Sequence, residues 1–130
     1  MAARDFLFEL NNGIRAPRFA ALNAEAARGS AGTLTAQTYA QQMTGLEVEG
    51  MLRLGEVWTE MKQSLGGGAS LNAYDNQFFL SDYQRVSGGT ITQDALVTEV
   101  MSRTYDTGTV RGKTVGQYYR EAYQRTSGGR

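Results

Sequence analysis

One segment of the sequence has a clear helical pattern, and it runs from Thr35 to about Leu65. Large apolar residues recur in its second half with the spacing 3-4-3-4: Met51, Leu54, Trp58, Met61 and Leu65. Because an α-helix turns by about 100° per residue, these side chains form one stripe, and the charged residues lie on the opposite face. Burial of large apolar side chains contributes about 1.5–3 kcal/mol each, so this helix is predicted to anchor the core.

Proline and glycine divide the rest of the sequence into helices and loops. The chain has 130 residues, 16 glycines and a single proline, Pro17, and proline is the residue that helix interiors tolerate least. Apolar periodicity predicts an all-α, single-domain bundle of about five or six helices with Gly/Ser/Thr-rich loops. The other predicted helices are 2–11, 17–28, 71–86, 92–104 and 115–125, the first two separated by a break at residues 11–13. Within the single domain 1–130, residues 1–34 are a candidate N-terminal arm and residues 126–130 a candidate flexible tail.

Two similar eight-residue segments precede predicted helices. "RGSAGTLT" at 28–35 and "RVSGGTIT" at 85–92 share five of their eight residues. In each, glycine permits an unusual backbone conformation, and a threonine can accept a hydrogen bond from the first helical turn. The pairs Thr90/Gln93 and Thr114/Gln117 also have the capping-box spacing. The similarity indicates reuse of helix-capping residues, with an internal duplication as the alternative.

The sequence lacks the side chains on which most zinc sites and many nucleophilic enzymes depend, since it has no histidine and no cysteine. The segment "GTVRGKT" at 108–114 ends like a phosphate-binding loop, but the first glycine of such a loop would fall on Thr107. The segment also follows a predicted helix, whereas a phosphate-binding loop follows a strand. We therefore predict that the protein is not an enzyme and has no catalytic, cofactor-binding or metal-binding residues, no cofactor and no small-molecule substrate.

Charge is distributed unevenly although the net charge of the chain is zero. Residues 1–44 carry four basic and three acidic groups, residues 45–102 three basic and eight acidic, and residues 103–130 six basic and two acidic. Three partners are open for the basic C-terminal segment: the acidic middle of the same chain, the acidic middle of a neighbouring copy, or nucleic acid. The candidate partner-binding residues are Arg111, Lys113, Arg120 and Arg125 on the basic side, and Glu49, Glu56 and Glu60 on the acidic side.

An apolar helix, "GGG" at 66–68, an aromatic-rich segment and "SGG" at 87–89 follow one another in the sequence. This order of elements resembles the rod-binding part of flagellar assembly proteins. No function or residue role is taken from the resemblance.

The sequence as a whole favours a non-enzymatic helical subunit that self-associates or packs in a larger complex, with a virion, a phage particle or a filament as its setting. A small adaptor or inhibitor-type protein-binding module, or a weak nucleic-acid-binding protein using the basic segment, is the alternative. The N-terminal apolar run is too short and too charged for a signal peptide or a membrane span. We therefore expect a soluble protein, made in the cytoplasm and incorporated in an assembly, with no membrane insertion.

Overall fold

The computed structural model describes residues 2–105 and 110–128, with side chains from Leu10 onward. The α-helices are α1 (Ala2–Ala27), α2 (Ala36–Ser64), α3 (Leu80–Ser87), α4 (Gln93–Met101) and α5 (Val115–Tyr123). Short 3-10 segments cover Gly29–Ala31, Ala69–Tyr74 and Asn76–Phe78, and a π-helical turn covers Gln124–Gly128, which includes the first part of the predicted tail. The described residues contain no β-strand, only an isolated antiparallel bridge between Thr104 and Thr114. The all-α prediction is confirmed.

The chain folds into two compact units, each built from two stretches of sequence. Unit 1 comprises Met1–Arg15 and Val48–Leu96, and unit 2 comprises Ala16–Glu47 and Val97–Arg130. Each unit therefore takes part of α1, α2 and α4.

The core of unit 1 is the apolar stripe predicted on α2. Leu54 and Trp58 are buried there with Phe78 and Leu80, and Met61 packs against them. The rings of Trp58 and Phe78 are stacked, with centroids 4.7 Å apart and an angle of 9° between their planes. Leu65 is an exception to the prediction, being 63% exposed, because α2 ends at Ser64 and Gly66 follows with a φ of 84°.

Unit 2 is organised around tyrosines. Tyr39 and Tyr119 are buried, and their ring centroids lie 6.3 Å apart in an edge-on arrangement. The Tyr39 hydroxyl donates to Asn23 Oδ1 at 2.6 Å, and the Tyr123 hydroxyl donates to the Leu34 carbonyl at 2.8 Å. Hydrogen bonds from ring hydroxyls therefore connect α5 to the segment just before α2, and α2 to the last part of α1, within this unit.

The predicted break at residues 11–13 is wrong, because α1 continues through it and through Pro17. The side chain of Asn11, taken as a helix-breaking residue, instead donates to the Gly50 carbonyl at 3.1 Å. The Arg15 guanidinium one turn later donates to the Asn11 carbonyl at 3.0 Å. Tertiary and i,i+4 contacts outweigh the local preference of Asn-Asn-Gly for a turn.

The predicted continuous helix over 71–86 is also wrong in its first half. Residues 69–78 form 3-10 turns, and Phe79 follows with a φ of 55°, the left-handed region, before α3 begins. Asp75 accounts for part of this path, because its carboxylate accepts from Trp58 Nε1 at 2.7 Å and from Lys62 Nζ at 3.0 Å. Contacts with α2 therefore determine the conformation of this segment.

The predicted capping box at Thr114 is confirmed, with Gln117 N donating to Thr114 Oγ1 at 3.0 Å and Thr114 N donating to Gln117 Oε1 at 2.8 Å. The predicted box at Thr90 is wrong. The Thr90 amide donates to the Arg85 carbonyl at 2.8 Å and so completes the end of α3. The cap of α4 is Thr92, whose Oγ1 accepts from Ala95 N at 3.1 Å.

Candidate functional site

The three acidic candidate residues lie on the part of α2 that belongs to unit 1, and two of them lie beside arginines. Glu56 Oε2 is 3.1 Å from Arg53 NH1, and Glu49 Oε1 is 3.9 Å from Arg15 Nε. Glu60 is exposed at the end of this series. The predicted acidic face is therefore partly neutralised within its own unit, which leaves Glu60 as the most accessible of the three carboxylates.

Arg15 forms a buried polar cluster that sequence reasoning missed. Its side chain is 8% exposed. Its NH1 donates to Asn11 Oδ1 at 2.9 Å, and its NH2 donates to the Glu49 carbonyl at 3.4 Å. A buried guanidinium requires hydrogen-bond acceptors, because removal of its charge from water costs several kcal/mol. The only sequence signal was an asparagine and an arginine four residues apart on one helix.

An open pocket of 290 Å³ adjoins this cluster in unit 1. Arg15, Arg53, Glu49 and Glu56 supply its charged groups, and Leu52, Tyr83 and Val86 supply much of its apolar surface. Two arginines and two glutamates give the lining no net charge. The pocket therefore has little electrostatic preference for an anion or a cation.

The four basic candidate residues lie in unit 2, and the structure separates them by environment. Lys113 Nζ is 2.5 Å from the Glu121 carboxylate, so its charge is neutralised locally. Arg120 NH1 donates at 3.3 Å to Gln37 Oε1, which is a neutral amide oxygen. Arg111 and Arg125 are exposed.

A second pocket, of 410 Å³, contains Arg120 and lies entirely within unit 2. The amides of Gln37, Gln41 and Gln117, the hydroxyls of Thr98, Ser102 and Thr114, and Met101 complete its described lining. No carboxylate is among these residues, so the pocket carries the positive charge of Arg120 surrounded by neutral hydrogen-bonding groups.

The second pocket was also missed at the level of sequence, apart from Arg120. Two pairs of neutral polar residues line it at a spacing of four: Gln37 and Gln41 on α2, and Thr98 on α4 with Ser102 in the turn that directly follows α4. Such pairs lie on one helix face. The pocket brings together residues that are more than 80 positions apart in the sequence. Arg120 and Gln37, which share a hydrogen bond, are separated by 83 positions.

Unit 2 also holds a half-buried acid, Glu47, that interacts with tyrosine side chains. The Tyr119 hydroxyl donates a hydrogen bond to Glu47 Oε1. Burial raises the pKa of Glu47 above its ordinary value, and the bond from Tyr119 opposes part of that rise. Burial also raises the pKa of Tyr105 to about 12, with smaller effects from the charges of Glu47 and Tyr118. The arrangement keeps the tyrosine hydroxyls protonated and makes the charge of Glu47 sensitive to acid.

The loop before α5 contains most of "GTVRGKT", and residues 106–109 lie outside the described part of the chain. Tyr105 N donates to the Lys113 carbonyl at 2.9 Å, and Gly112 N donates to the Tyr105 carbonyl at 3.0 Å. Gly112 has a φ of 87°, which favours glycine. The described part is therefore a turn closed by backbone hydrogen bonds.

Comparisons with known proteins assign no family to the chain: no protein-family model matches it, and neither the curated proteins nor the solved structures give a match. Within the described residues, no group of three or more acidic side chains is placed to hold a metal ion. None of the described helices combines the length and the apolar character needed to cross a membrane.

Proposed function

We propose that the protein is a non-enzymatic helical subunit that self-associates or packs in a larger assembly, such as a virion, a phage particle or a filament. The observation that carries the proposal is the opposite charge of the two units. Unit 1 contains five basic and eight acidic residues, a net charge of −3, whereas unit 2 contains eight basic and five acidic residues, a net charge of +3. The net charge of zero is thus the sum of opposite net charges on the two units of each copy.

Complementary surfaces on one chain favour contacts between unlike patches of neighbouring copies. In such a contact, unit 1 of one copy binds unit 2 of the next, so the first copy retains an unused unit 2 patch and the second an unused unit 1 patch. Contacts of this heterologous type close into rings or extend as filaments. Charge also steers the approach of the copies, because it acts over about 10 Å at 0.1 M salt.

Unit 1 offers apolar surface that supports the same proposal. Leu10 and Ile14 are 55% and 64% exposed, and they are neighbours on α1 because they lie four residues apart. Leu65, at 63% exposed, lies beyond the end of α2 in the same unit. Covering such side chains would add hydrophobic stabilisation to an interface between copies.

Sedimentation velocity combined with negative-stain electron microscopy tests this function. We expect the weight-average mass to rise with protein concentration at about 0.05 M salt and to fall toward the monomer at about 0.5 M, since exposed charges are screened. Rings or filaments should be visible under the low-salt condition. A monomer at every concentration in low salt would contradict the proposal.

Weak nucleic-acid binding is a second candidate, favoured by the net charge of +3 on unit 2 and by the exposed Arg111 and Arg125. Against it, Tyr119 is buried and the hydroxyl of Tyr123 is bonded within the unit, so these rings are poorly placed to stack on bases. Fluorescence anisotropy with single-stranded and duplex oligonucleotides measures this activity. Nucleic-acid binding requires an affinity that falls steeply with salt, and no binding at low salt would exclude it.

A further inference from the structure

The Arg120 pocket of unit 2 has the features of a site for a carboxylate. The guanidinium bonds a neutral amide oxygen of Gln37, so its positive charge has no counter-charge among the lining residues that the structure describes. Glutamine amides and the hydroxyls of threonine and serine can donate hydrogen bonds to an anion. A bond from arginine to a carboxylate is about twice as strong as one between neutral groups. The site therefore favours an acidic group over a neutral one.

The pocket of unit 1 provides an internal comparison. Its two arginines already lie beside glutamates, at 3.1 Å for Arg53 and Glu56 and at 3.9 Å for Arg15 and Glu49. An entering carboxylate would meet as many negative as positive groups there. The Arg120 pocket lacks this internal compensation among its described lining residues, and its 410 Å³ can accommodate an acidic side chain together with water.

The net charges of the two units and the exposure of the acidic candidate residues indicate which group occupies the Arg120 pocket. The pocket belongs to the unit of net charge +3, and the complementary charge of −3 lies on unit 1. Among the acidic candidates of unit 1, Glu49 and Glu56 lie beside arginines, whereas Glu60 is exposed. Glu60 lies in the last two turns of α2, where it can project into a neighbouring molecule.

We infer that the Arg120 pocket is the receptor for Glu60 of a second copy of this chain, and that this pair is the specific contact of a head-to-tail assembly. The inference rests on the proposed function and adds to it the two residues that meet. Gln37, Gln41 and Gln117 supply further donors to the incoming carboxylate, and Met101 contacts its methylene groups. Because Glu60 and Arg120 lie in different units, the contact of one copy leaves its other patch available to a third copy.

A charge-swap experiment tests the inference by sedimentation velocity at about 0.05 M salt. Arg120→Glu and Glu60→Lys should each weaken association by about tenfold or more, because each replaces an attraction by a repulsion. The double variant should recover association to within about threefold of the original protein. Arg125→Glu is the matched control, since it makes the same charge change on an exposed arginine outside the pocket. It should weaken association less than Arg120→Glu does.

The outcomes separate the inference from the proposed function. If the original protein assembles and Arg120→Glu assembles equally well, or Arg125→Glu weakens it as much, the pocket contact is wrong and the proposed function stands. If Arg120→Glu weakens association and the double variant does not restore it, Glu60 is not the group that occupies the Arg120 pocket. If the original protein never assembles, the proposed function itself is contradicted. Circular dichroism verifies the fold of each variant, and Arg120→Gln, which should also weaken association, replaces Arg120→Glu if that variant does not fold.

Discussion

The two units bury their aromatic side chains in different ways. In unit 1, Trp58 and Phe78 stack face to face around a largely apolar core. In unit 2, tyrosine rings meet edge-on or tilted, and their hydroxyls bond to polar groups such as Asn23, Glu47 and the Leu34 carbonyl. Unit 1 therefore combines a stacked apolar core with a bond from Trp58 to the Asp75 carboxylate, whereas unit 2 depends mainly on bonds from tyrosine hydroxyls, including the bond from Tyr119 to Glu47.

The largest effect is expected from Trp58→Ala in unit 1. Loss of the side chain removes the stacked pair and leaves a cavity, which typically costs about 3–5 kcal/mol of the free energy of unfolding. Urea denaturation followed by far-UV circular dichroism measures this loss of stability. Tryptophan fluorescence is not suitable, because Trp58 is the one tryptophan of the chain and the variant lacks it. A loss below about 1 kcal/mol would show that Trp58 does not anchor the unit.

Two glycines of α2 give a matched pair, one in each unit. A Cβ added at Gly55 would lie 2.3 Å from the Tyr83 Cβ, whereas one added at Gly45 would meet nothing within 4 Å. Gly55→Ala should destabilise unit 1 by about 1–3 kcal/mol through overpacking. Gly45→Ala should stabilise unit 2 by about 0.5–1 kcal/mol, because alanine favours a helix interior over glycine. Thermal denaturation of both variants tests the opposite signs, and equal signs would contradict the close approach at Gly55.

Removal of a tyrosine hydroxyl should matter more in unit 2 than in unit 1. Tyr123→Phe deletes the donor to the Leu34 carbonyl, a bond of 2.8 Å, and should cost about 1 kcal/mol. Tyr74→Phe is the control in unit 1, where the ring packs edge-on against Trp58 with centroids 6.0 Å apart. It should change the free energy of unfolding by less than about 0.5 kcal/mol. Urea denaturation of the two variants makes the comparison, and equal losses would remove this difference between the units.

The smallest effect is a dependence on pH that belongs to unit 2. Burial raises the pKa of Glu47 in the folded protein above its ordinary value of 4.5, so the folded state retains that proton more strongly than the unfolded state. The contribution of Glu47 to the free energy of unfolding therefore falls as pH rises from about 4.5 through the folded-state pKa. Glu47→Gln keeps an oxygen that accepts the hydrogen bond from Tyr119, and it removes this pH-dependent loss of stability because glutamine does not ionise.

The stability of Glu47→Gln relative to the original protein should consequently be greater at pH 7 than at pH 4. Urea denaturation at the two pH values measures the difference. Glu60→Gln makes the same substitution on an exposed side chain and serves as the control. An unchanged difference between pH 4 and pH 7 would mean that Glu47 titrates normally.

The sequence predicted the features that depend on regular spacing. The 3-4-3-4 stripe of α2 places Leu54 and Trp58 in the core, and the Thr114/Gln117 spacing forms the expected capping box. Errors arose where a distant residue determines local conformation. Asn11 was predicted to break a helix but forms a hydrogen bond with Gly50. Asp75 lies in a segment that was predicted to be helical, and its bonds with Trp58 and Lys62 favour another conformation.

In the candidate site, too, the sequence indicated some features and missed others. Runs of charge indicated the basic and acidic residues, including Arg120 and Glu60, because charge is visible in the sequence. Their local environments were not visible, since the partner of Arg120 lies 83 positions away at Gln37 and that of Glu49 lies 34 positions away at Arg15. Neutral lining residues such as Ser102 carry no signal of their own.

Sequence separation within the two units has a consequence for the order in which they fold. The core of unit 1 joins residues 54–80, and its Trp58–Asp75 bond spans 17 positions. The Tyr39–Asn23 bond of unit 2 spans 16 positions, but the two tyrosine bonds that attach α5 span 72 positions from Glu47 to Tyr119 and 89 from Leu34 to Tyr123. Short-range contacts form faster, and on the ribosome the earlier residues emerge first. We therefore expect unit 2, with its Arg120 pocket, to be completed after unit 1, so that a nascent chain gains the proposed capacity to capture another copy only after the core of unit 1 has formed.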